Sequence, residues 1–324
     1  MKIGMMSFAH MHAYSYADCL KKIAGAEIAG IFDDDPERGR SAAEQYGTKY
    51  YGDQAAFLQS DIDAVIICSE NNRHKEMVVN AAKAKKHILC EKPIATTIED
   101  AEEMIQVCEE NGVTLQIAFP VRFSSPIARL KRMIEDGELG EILAFRSTNR
   151  GQNPGGWFID QSLSGGGAVL DHTVHMIDIM RWYTGKEVVK VDALADNFFH
   201  DIGIDDAGLL TVAFEGGIIA SHDASWSRFS KYPMWGDVTI EVIGTKQTVK
   251  VDAFKEHIRY FSDQEKSLSH QFFGNDMDLG LIRDFVDCIE SGREPSITGR
   301  DGLKALEVAL AAYEANETNK PVRL

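Results

Sequence analysis

Residues 2–33, KIGMMSFAHMHAYSYADCLKKIAGAEIAGIFD, contain two short apolar runs with a helical pattern between them. Three more apolar runs, DAVIICS, KHILCE and VTLQIAF, follow at intervals that leave room for further helices. Short continuous apolar strands that alternate with helices indicate a parallel sheet covered on both faces. We therefore predict an α/β doubly wound (Rossmann) domain over residues 1–120. Such a sheet binds ligands at the carboxyl ends of its strands.

The second part of the chain, residues 121–324, is rich in strands separated by hairpin-type turns. Gly216-Gly217 and Gly244-Thr245 punctuate runs such as AGLLTVAFEGGIIASHDASW. This pattern predicts an α+β domain with a large open, mostly antiparallel sheet, and with helices near 168–183, 279–291 and 302–315. Because an open sheet leaves one face uncovered, we expect the protein to be a homo-oligomer that assembles through this sheet.

The composition limits the classes of partner and compartment. A chain of 324 residues is longer than one usual domain, and its 44% hydrophobic and 26% charged residues are typical of a globular enzyme. A formal net charge of −16 argues against a nucleic-acid partner, because phosphate binding needs a basic surface. The five cysteines show no C-x-x-C spacing, so neither a disulfide framework nor a zinc site is indicated. No signal peptide or membrane-spanning run is recognisable, and we expect a cytoplasmic protein with no membrane partner.

The junction after the first strand lacks the glycines of a dinucleotide fingerprint. A G-x-G-x-x-G motif would place them at positions 7, 9 and 12, which are Ser7, Ala9 and His12 here. A serine hydroxyl and the helix N-terminus can still bind phosphate. Asp33 ends the second strand at a spacing that suits hydrogen bonds with the ribose of an adenine dinucleotide, and Asp33 with Asp34 would repel a 2′-phosphate. The alternative is that these aspartates only form a turn that caps the next helix.

Glu91-Lys92-Pro93 follows a strand at its carboxyl end, where a lysine is a candidate for a site. The peptide bond before Pro93 can be cis. The alternative is an ordinary solvated lysine at a strand end.

Further along, three glycines at 165–167 lead into a helix that carries Asp171 and His175 on one face. A carboxylate beside an imidazole makes a general base, although such a pair can also be a structural hydrogen bond. His172 and His175 have a spacing that could hold a metal. No further ligands are evident, so we expect none.

Together these stretches resemble the Gfo/Idh/MocA family, named for glucose–fructose oxidoreductase, inositol dehydrogenase and a rhizopine catabolism protein. The resemblance covers nearly the whole chain and includes the 165–178 stretch, EIAGIFDDDPERG, AVIICSENNRHKEMVVNAAKAKKHILCEKPIA, GELGEILAFR and PSITGRDGLKALEVALAAYEANETNKPVRL. It implies a Rossmann domain followed by a substrate domain whose open sheet serves in assembly. It also implies the oxidation or reduction of a carbinol carbon of a sugar or polyol with NAD or NADP.

The resemblance assigns roles to matching residues. Lys92 matches a lysine that contacts substrate and cofactor, His175 an acid/base, and Asp171 the carboxylate that positions both. Arg122 matches an arginine near the nicotinamide, although Pro120 replaces the usual asparagine. With the junction included, the expected cofactor contacts are Ser7, Phe8, Ala9, His10, His12, Asp33, Asp34, Ser69, Asn71, His74, Glu91, Lys92 and Arg122. The expected substrate contacts are Lys92, Arg122, Asn149, Arg150, Trp157, Asp160, Asp171, His172 and His175.

The interpretation is therefore an NAD-dependent dehydrogenase of carbohydrates, with NAD favoured over NADP. His175 takes the hydroxyl proton, hydride leaves to NAD, and Lys92 stabilises the charge that develops on oxygen. Two alternatives stay open. One is a redox-neutral carbohydrate lyase or hydrolase that uses tightly held NAD. The other is a non-catalytic cofactor or sugar sensor, which the loss of all three glycines would favour.

Overall fold

A computed structural model describes residues 1–255, 257–262, 267–272 and 274–324. These residues form two compact units. The first unit consists of Met1–Pro120, Ser162–Gly165 and Asp278–Leu306. The second consists of Val121–Gln161, Gly166–Met277 and Glu307–Leu324. The chain thus returns to the first unit near its end, which no composition shift in the sequence indicates.

The first unit contains a parallel sheet with the strand order β3-β2-β1-β4-β5-β6. Its strands are β1 (Lys2–Met6), β2 (Glu27–Phe32), β3 (Tyr50–Tyr51), β4 (Ala64–Ile67), β5 (His87–Cys90) and β6 (Leu115–Ile117). This order is the common one of dinucleotide-binding sheets, and it reverses between β1 and β4, where such sheets bind their ligand. The predicted Rossmann architecture is therefore confirmed.

Helices connect these strands, as the alternating pattern predicts. They are α1 (His12–Leu20), α2 (Pro36–Tyr46), α3 (Gln54–Leu58), α4 (His74–Lys83) and α5 (Ile98–Asn111). The side chain of Asp35 caps α2 by accepting hydrogen bonds from the backbone N–H groups of Glu37 and Arg38. The capping turn considered as an alternative for the aspartates is therefore present, and Asp35 forms it.

The second unit contains a sheet with the order β12-β11-β7-β10-β9-β8-β15. Its strands are β7 (Ile142–Gly151), β8 (Val188–Asp196), β9 (Ala207–Phe214), β10 (Ile219–Ser225), β11 (Gly236–Gly244), β12 (Thr248–Asp252) and β15 (Val322–Arg323). Two further strands, β13 (His257–Ser262) and β14 (Ser267–Phe272), pair with each other in a separate sheet. Only the β7–β10 pairing is parallel among the pairings of this sheet in the described residues. The prediction of a large, mostly antiparallel sheet is confirmed.

The remaining helices are α6 (Ser125–Glu135), α7 (Gln161–Ser164), α8 (Ala168–Thr184), α9 (Met277–Ser291) and α10 (Gly299–Thr318). The three helices predicted in this part of the sequence are therefore confirmed, with ends that differ by a few residues. Helix α8 packs on β7, β9 and β10 and is buried along most of its length. The opposite face of the sheet exposes large apolar side chains, namely Leu194, Leu209 and Ile219. Among the described residues, no helix combines the length and apolar character that crossing a membrane requires.

Candidate active site

The loop after β1 makes its turn without a glycine. Ser7 has a φ of +69°, in the left-handed region that costs a non-glycine residue about 1–2 kcal/mol. The turn is held by hydrogen bonds from the Ser7 N–H to the Phe32 carbonyl (2.7 Å) and from the Ala9 N–H to the Ser7 Oγ (3.1 Å). The His10 N–H donates to the Cys68 carbonyl at 2.9 Å, so the loops after β1 and β4 lie side by side. Ser7 therefore adopts the backbone conformation for which the fingerprint uses a glycine.

Asp33 joins this loop to helix α2. Its Oδ2 accepts hydrogen bonds from the Phe8 N–H (2.8 Å) and the Arg38 Nε (2.9 Å). Its Oδ1 accepts from the Asp35 N–H (3.0 Å) and the Arg38 Nη2 (2.7 Å). The residue is 0% exposed. Asp33, which the sequence predicts as a ribose contact, therefore already accepts two hydrogen bonds from one arginine and two from backbone N–H groups.

His12, at the third fingerprint position, forms an ion pair with Glu91. The Nδ1 of His12 lies 3.0 Å from the Glu91 Oε1, and the Lys92 N–H donates to the Glu91 Oε2 at 3.1 Å. Burial opposes ionisation of Glu91, but the neighbouring rings of His10 and His12 and the hydrogen bond from His12 outweigh it and hold the pKa of the carboxyl well below its usual range. Burial likewise opposes the charged form of His12, yet the charge and hydrogen bond of Glu91 raise its pKa. The bulky side chain thus has a buried anionic partner.

The same groups have the composition of a metal site, because ligand atoms of His10, His12 and Glu91 lie within 4.8 Å of one another. The hydrogen bonds favour a different interpretation. The His12 N–H donates to the His10 Nδ1 at 3.1 Å, so the proton of a neutral His10 lies on Nε2. Neither ring nitrogen of His10 then has a lone pair to offer a metal in this arrangement. The cluster is better described as an ion pair with a supporting histidine.

Lys92 begins the turn after β5 and is 4% exposed. Its peptide bond to Pro93 is cis, the option that the sequence leaves open. The ring of His74 donates from Nδ1 to the Pro93 carbonyl at 2.9 Å, and burial lowers the pKa of His74, which favours its neutral form.

Two other predicted cofactor contacts lie in the loop after β4. The Asn71 Nδ2 donates to the Ser164 carbonyl at 2.8 Å, and the Ser69 Oγ donates to the Glu70 carbonyl at 3.1 Å. Of the predicted cofactor contacts in this loop, His74 directly supports the lysine turn.

In the second unit, α8 carries Asp171 and His175 one turn apart, as predicted. The Asp171 Oδ2 accepts a hydrogen bond from the Trp226 Nε1 at 3.1 Å and lies 3.3 Å from the His172 Nε2. His172 donates from Nδ1 to the Asn149 carbonyl (2.9 Å), and the Asn149 Nδ2 donates back to the His172 carbonyl (3.3 Å). His172 and His175 are both buried. The sequence does not reveal Trp226, which stands just after β10 and holds the carboxylate.

The start of α8 is supported by Asp205 and Tyr313. Asp205 accepts hydrogen bonds from the N–H groups of Gly167 (3.0 Å) and Val169 (2.8 Å). The Tyr313 hydroxyl donates to Asp205 (2.9 Å) and accepts from the N–H groups of Gly167 and Leu170. A Cβ at Gly167 would lie 1.9 Å from the Asp205 carbonyl oxygen, so this position requires glycine. These interactions set the position of the helix one turn before Asp171.

Several predicted substrate contacts lie in ion pairs or stacks within the second unit. Arg122 forms a buried bidentate pair with Asp178, at 2.7 Å from Nε and 2.5 Å from Nη2. Arg150 pairs with Asp223 at 2.6 Å. Trp157 stacks on Phe158 with ring centroids 3.8 Å apart, and the Asp160 N–H donates to the Trp157 carbonyl at 3.1 Å. The carboxylate partners of these arginines carry no motif in the sequence, so pattern analysis does not find them.

Comparisons with known proteins agree with this architecture. Residues 3–119 match the family model described as "Oxidoreductase family, NAD-binding Rossmann fold", and residues 127–250 match the "GFO/IDH/MocA C-terminal domain". The chain is 30% identical to the myo-inositol 2-dehydrogenase of Thermotoga maritima over 100% of this chain and 98% of that protein. It is 32% identical to the D-xylose 1-dehydrogenase (NADP(+)) of Haloarcula marismortui, over 81% of this chain and 74% of that one. A solved structure of scyllo-inositol dehydrogenase from Lactobacillus casei, with bound NAD(H) and scyllo-inositol, superposes with a TM-score of 0.85 at 26% identity, covering 100% of this chain and 98% of that chain. The chain belongs to the Gfo/Idh/MocA family of NAD-binding oxidoreductases.

Proposed function

We propose that this protein oxidises a secondary alcohol of a cyclic polyol or sugar with NAD, and that Lys92, Asp171 and His175 carry the reaction. The observation that carries the proposal is the placement of Lys92. It is buried at the carboxyl end of β5, next to an ionised Glu91, in a turn that His74 supports. Inositol and xylose dehydrogenases among the relatives support the substrate class.

The residues of the first unit fit a nicotinamide dinucleotide. The strand order reverses between β1 and β4, and the loop after β1 makes the required turn through the left-handed Ser7. The resemblance implies that Glu91 contacts the nicotinamide ribose, and Lys92 follows it directly. When bound, NAD supplies the acceptor for the hydride that leaves the carbinol carbon. We favour NAD over NADP because two neighbouring carboxylates, Asp33 and the partly exposed Asp34, lie at the end of β2 and would repel a 2′-phosphate.

The roles of the catalytic residues follow from charge. As the alcohol becomes a carbonyl, its C–H electrons leave as hydride and its hydroxyl proton must be taken by a base. His175 accepts that proton, and Asp171, held by Trp226, orients the reacting groups. The Lys92 ammonium donates a hydrogen bond to the substrate oxygen while negative charge develops there, which lowers the barrier to hydride departure.

Calorimetric titration with NAD⁺, followed by an assay for NADH with myo-inositol, scyllo-inositol and D-xylose, tests this function. We expect roughly micromolar binding of NAD⁺ and NADH formation with at least one polyol or sugar. Binding without turnover on a broad carbohydrate panel would favour the sensor instead. NAD that co-purifies and never exchanges, together with elimination or hydrolysis products, would favour the redox-neutral enzyme.

We further propose that the protein acts in the cytoplasm. Cys19, Cys68, Cys90, Cys108 and Cys288 are all buried free thiols within the described part of the chain. Free thiols are usual in reducing compartments, where disulfides are rare.

Assembly through the open sheet is the second part of the proposal. Leu194 and Leu209 pair across β8 and β9 and are 67% and 63% exposed on the face opposite α8. Neighbouring exposed apolar side chains on a sheet face favour cover by another surface, and a second copy of the chain supplies it by symmetry.

Gel filtration should therefore give at least twice the mass of the chain. Leu209→Glu should shift elution toward the monomer, because a buried charge at an interface is costly. Phe229→Glu, which changes an exposed aromatic residue outside the strands, is the matched control and should not shift it. Monomeric elution of the unaltered protein would contradict the assembly.

A further inference from the structure

His12 places an imidazole ring where the fingerprint has its third glycine. It is the first residue of α1, and its Nδ1 lies 3.0 Å from the Glu91 Oε1. The His12 side chain is 34% exposed, whereas the Glu91 side chain is fully buried. The dipole at a helix N-terminus favours anions and disfavours cations. A positively charged ring at this position therefore depends on its carboxylate partner.

The positive charge in contact with Glu91 belongs to His12 rather than to the neighbouring His10. The His12 N–H donates to the His10 Nδ1 at 3.1 Å, which requires an unprotonated nitrogen, so His10 is neutral in this arrangement. Burial opposes the charged form of His12, but the charge and hydrogen bond of Glu91 outweigh it and raise the pKa of the ring. The exposed edge of the cluster thus carries a cation, and its buried end carries an anion.

Other groups that face His12 come from several elements. The Tyr16 hydroxyl, one turn further along α1, lies 3.4 Å from the His12 Nδ1, and the ring of His10 has its centroid 4.3 Å away. Asp278 lies in the first turn of α9, and its charge favours the protonated ring. Lys92 follows β5, and its charge opposes the protonated ring. A second carboxylate therefore supports the charge of His12 against a nearby ammonium.

Glu91 connects the ring of His12 to the lysine turn. Its Oε2 accepts the Lys92 N–H at 3.1 Å, and its own N–H donates to the Ile67 carbonyl at 3.0 Å. One carboxylate thus contacts α1 through one oxygen and the backbone of Lys92 through the other. Because Lys92 is buried, a shift of its backbone moves the ammonium with it.

We propose, on the basis of the proposed dehydrogenase function, that His12 is a positioning residue for catalysis. Its protonated ring holds the Glu91 carboxylate in the orientation that fixes the backbone of Lys92. The chain thus replaces a glycine that serves packing with a cation that supports the lysine turn.

Restoring the glycine should therefore impair the enzyme. In His12→Gly the buried Glu91 carboxylate loses its cationic partner, which is costly, and it must take up a proton or turn toward another donor. Either response weakens its hydrogen bond with the Lys92 N–H. The fingerprint alone predicts the opposite result, because a glycine at this position allows close helix–strand packing beside the cofactor.

Steady-state kinetics and NAD⁺ calorimetry of the full-length variants test the inference. We expect His12→Gly to lower kcat about tenfold or more, since a small displacement of a catalytic group is enough for such a loss. The dissociation constant of NAD⁺ should change much less than kcat. His12→Asn keeps a neutral donor near Glu91 and should lose less of the rate. In a double-mutant cycle with Glu91→Gln the two losses should not add, because the residues act as one unit.

The dependence of kcat on pH distinguishes this role from a structural one. The protonated ring is present below the raised pKa of His12 and is lost as the pH rises through it. The kcat of the unaltered protein should therefore fall as the pH rises above the ordinary imidazole value of about 6.5. His12→Asn should lack this fall over the same interval. His87→Asn removes a partly exposed histidine of β5, is the control and should keep the fall.

NMR titration of the histidine rings in the protein without cofactor gives a measurement that does not depend on turnover. The signal that disappears in His12→Asn should titrate at a higher pH in the unaltered protein than in Glu91→Gln. Equal titration of that signal in the two proteins would contradict the ion pair and the inference.

The inference is also wrong if the unaltered protein forms NADH while His12→Gly and His12→Asn keep kcat and its dependence on pH. The proposed function then stands. If His12→Gly does not fold, the rate and pH profile of His12→Asn decide. If the unaltered protein forms no NADH on a broad carbohydrate panel, the proposed function fails, and the catalytic role of His12 fails with it, whatever the ring titration shows.

Discussion

Replacing Lys92 by alanine should lower kcat by about 10²-fold or more at saturating NAD⁺ and substrate. The lysine is the residue that we expect to stabilise the oxygen as its proton leaves, and alanine supplies no donor there. Because the position is buried, the solvent does not replace the lost charge effectively. Steady-state rates of NADH formation measure the effect directly.

Two controls separate chemistry from folding and from cofactor binding. Lys83→Ala removes an exposed lysine near the end of α4 and should leave kcat unchanged. Glu91 keeps its ion pair with His12 when Lys92 is altered, so calorimetry of Lys92→Ala should still detect NAD⁺ binding. A variant that binds NAD⁺ and turns over at nearly the original rate would remove Lys92 from the mechanism.

The Rossmann architecture could be predicted because each principal strand is a continuous apolar run. β1, β2, β4, β5 and β6 are of this kind, and burial on both faces requires such runs. β3 consists only of Tyr50 and Tyr51, and two residues carry no periodicity. The second sheet was predictable in character, since its strands alternate. The order of its strands could not be predicted, because strands that are neighbours in the sheet can be distant in the chain.

In the candidate site, pairs of residues close in sequence could be predicted, and contacts between residues far apart in sequence could not. Asp171 and His175 can be predicted as a pair because their spacing on a helix puts them on one face. Trp226 lies 55 residues from Asp171, which it holds, and Asp205 lies 36 or more residues from the N–H groups that it accepts at the start of the helix. Their hydrogen bonds depend on tertiary packing, so no local pattern indicates them.

The fingerprint illustrates why a motif can be absent while its geometry is present. The first glycine of the motif provides a tight turn, and Ser7 makes that turn at φ +69° with support from Phe32 and Ala9. The third glycine of the motif provides space for helix–strand packing. His12 stands at that position, and its ring pairs with Glu91. A sequence pattern records the residue that usually satisfies a constraint, and other residues can satisfy it when partners are available.

The second large effect is expected at His175. His175→Asn should lower kcat by about 10²–10⁴-fold, because general-base catalysis at the hydroxyl is lost while the side chain stays polar and of similar size. Added imidazole should restore part of the rate, since a small base can accept the proton in place of the missing ring. His87→Asn, a partly exposed histidine of β5, is the control and should keep the rate.

His172 offers a direct comparison on the same helix. Its Nε2 lies 3.3 Å from the Asp171 carboxylate, and two hydrogen bonds with Asn149 fix the residue in place. In our interpretation His172 is therefore a positioning residue, and His175 is the proton acceptor. His172→Asn should therefore reduce the rate less than His175→Asn, and imidazole should not rescue it. The reverse order of effects, with rescue confined to His172→Asn, would make His172 the base. A fall in melting temperature without loss of kcat in His175→Asn would assign His175 to a structural hydrogen bond.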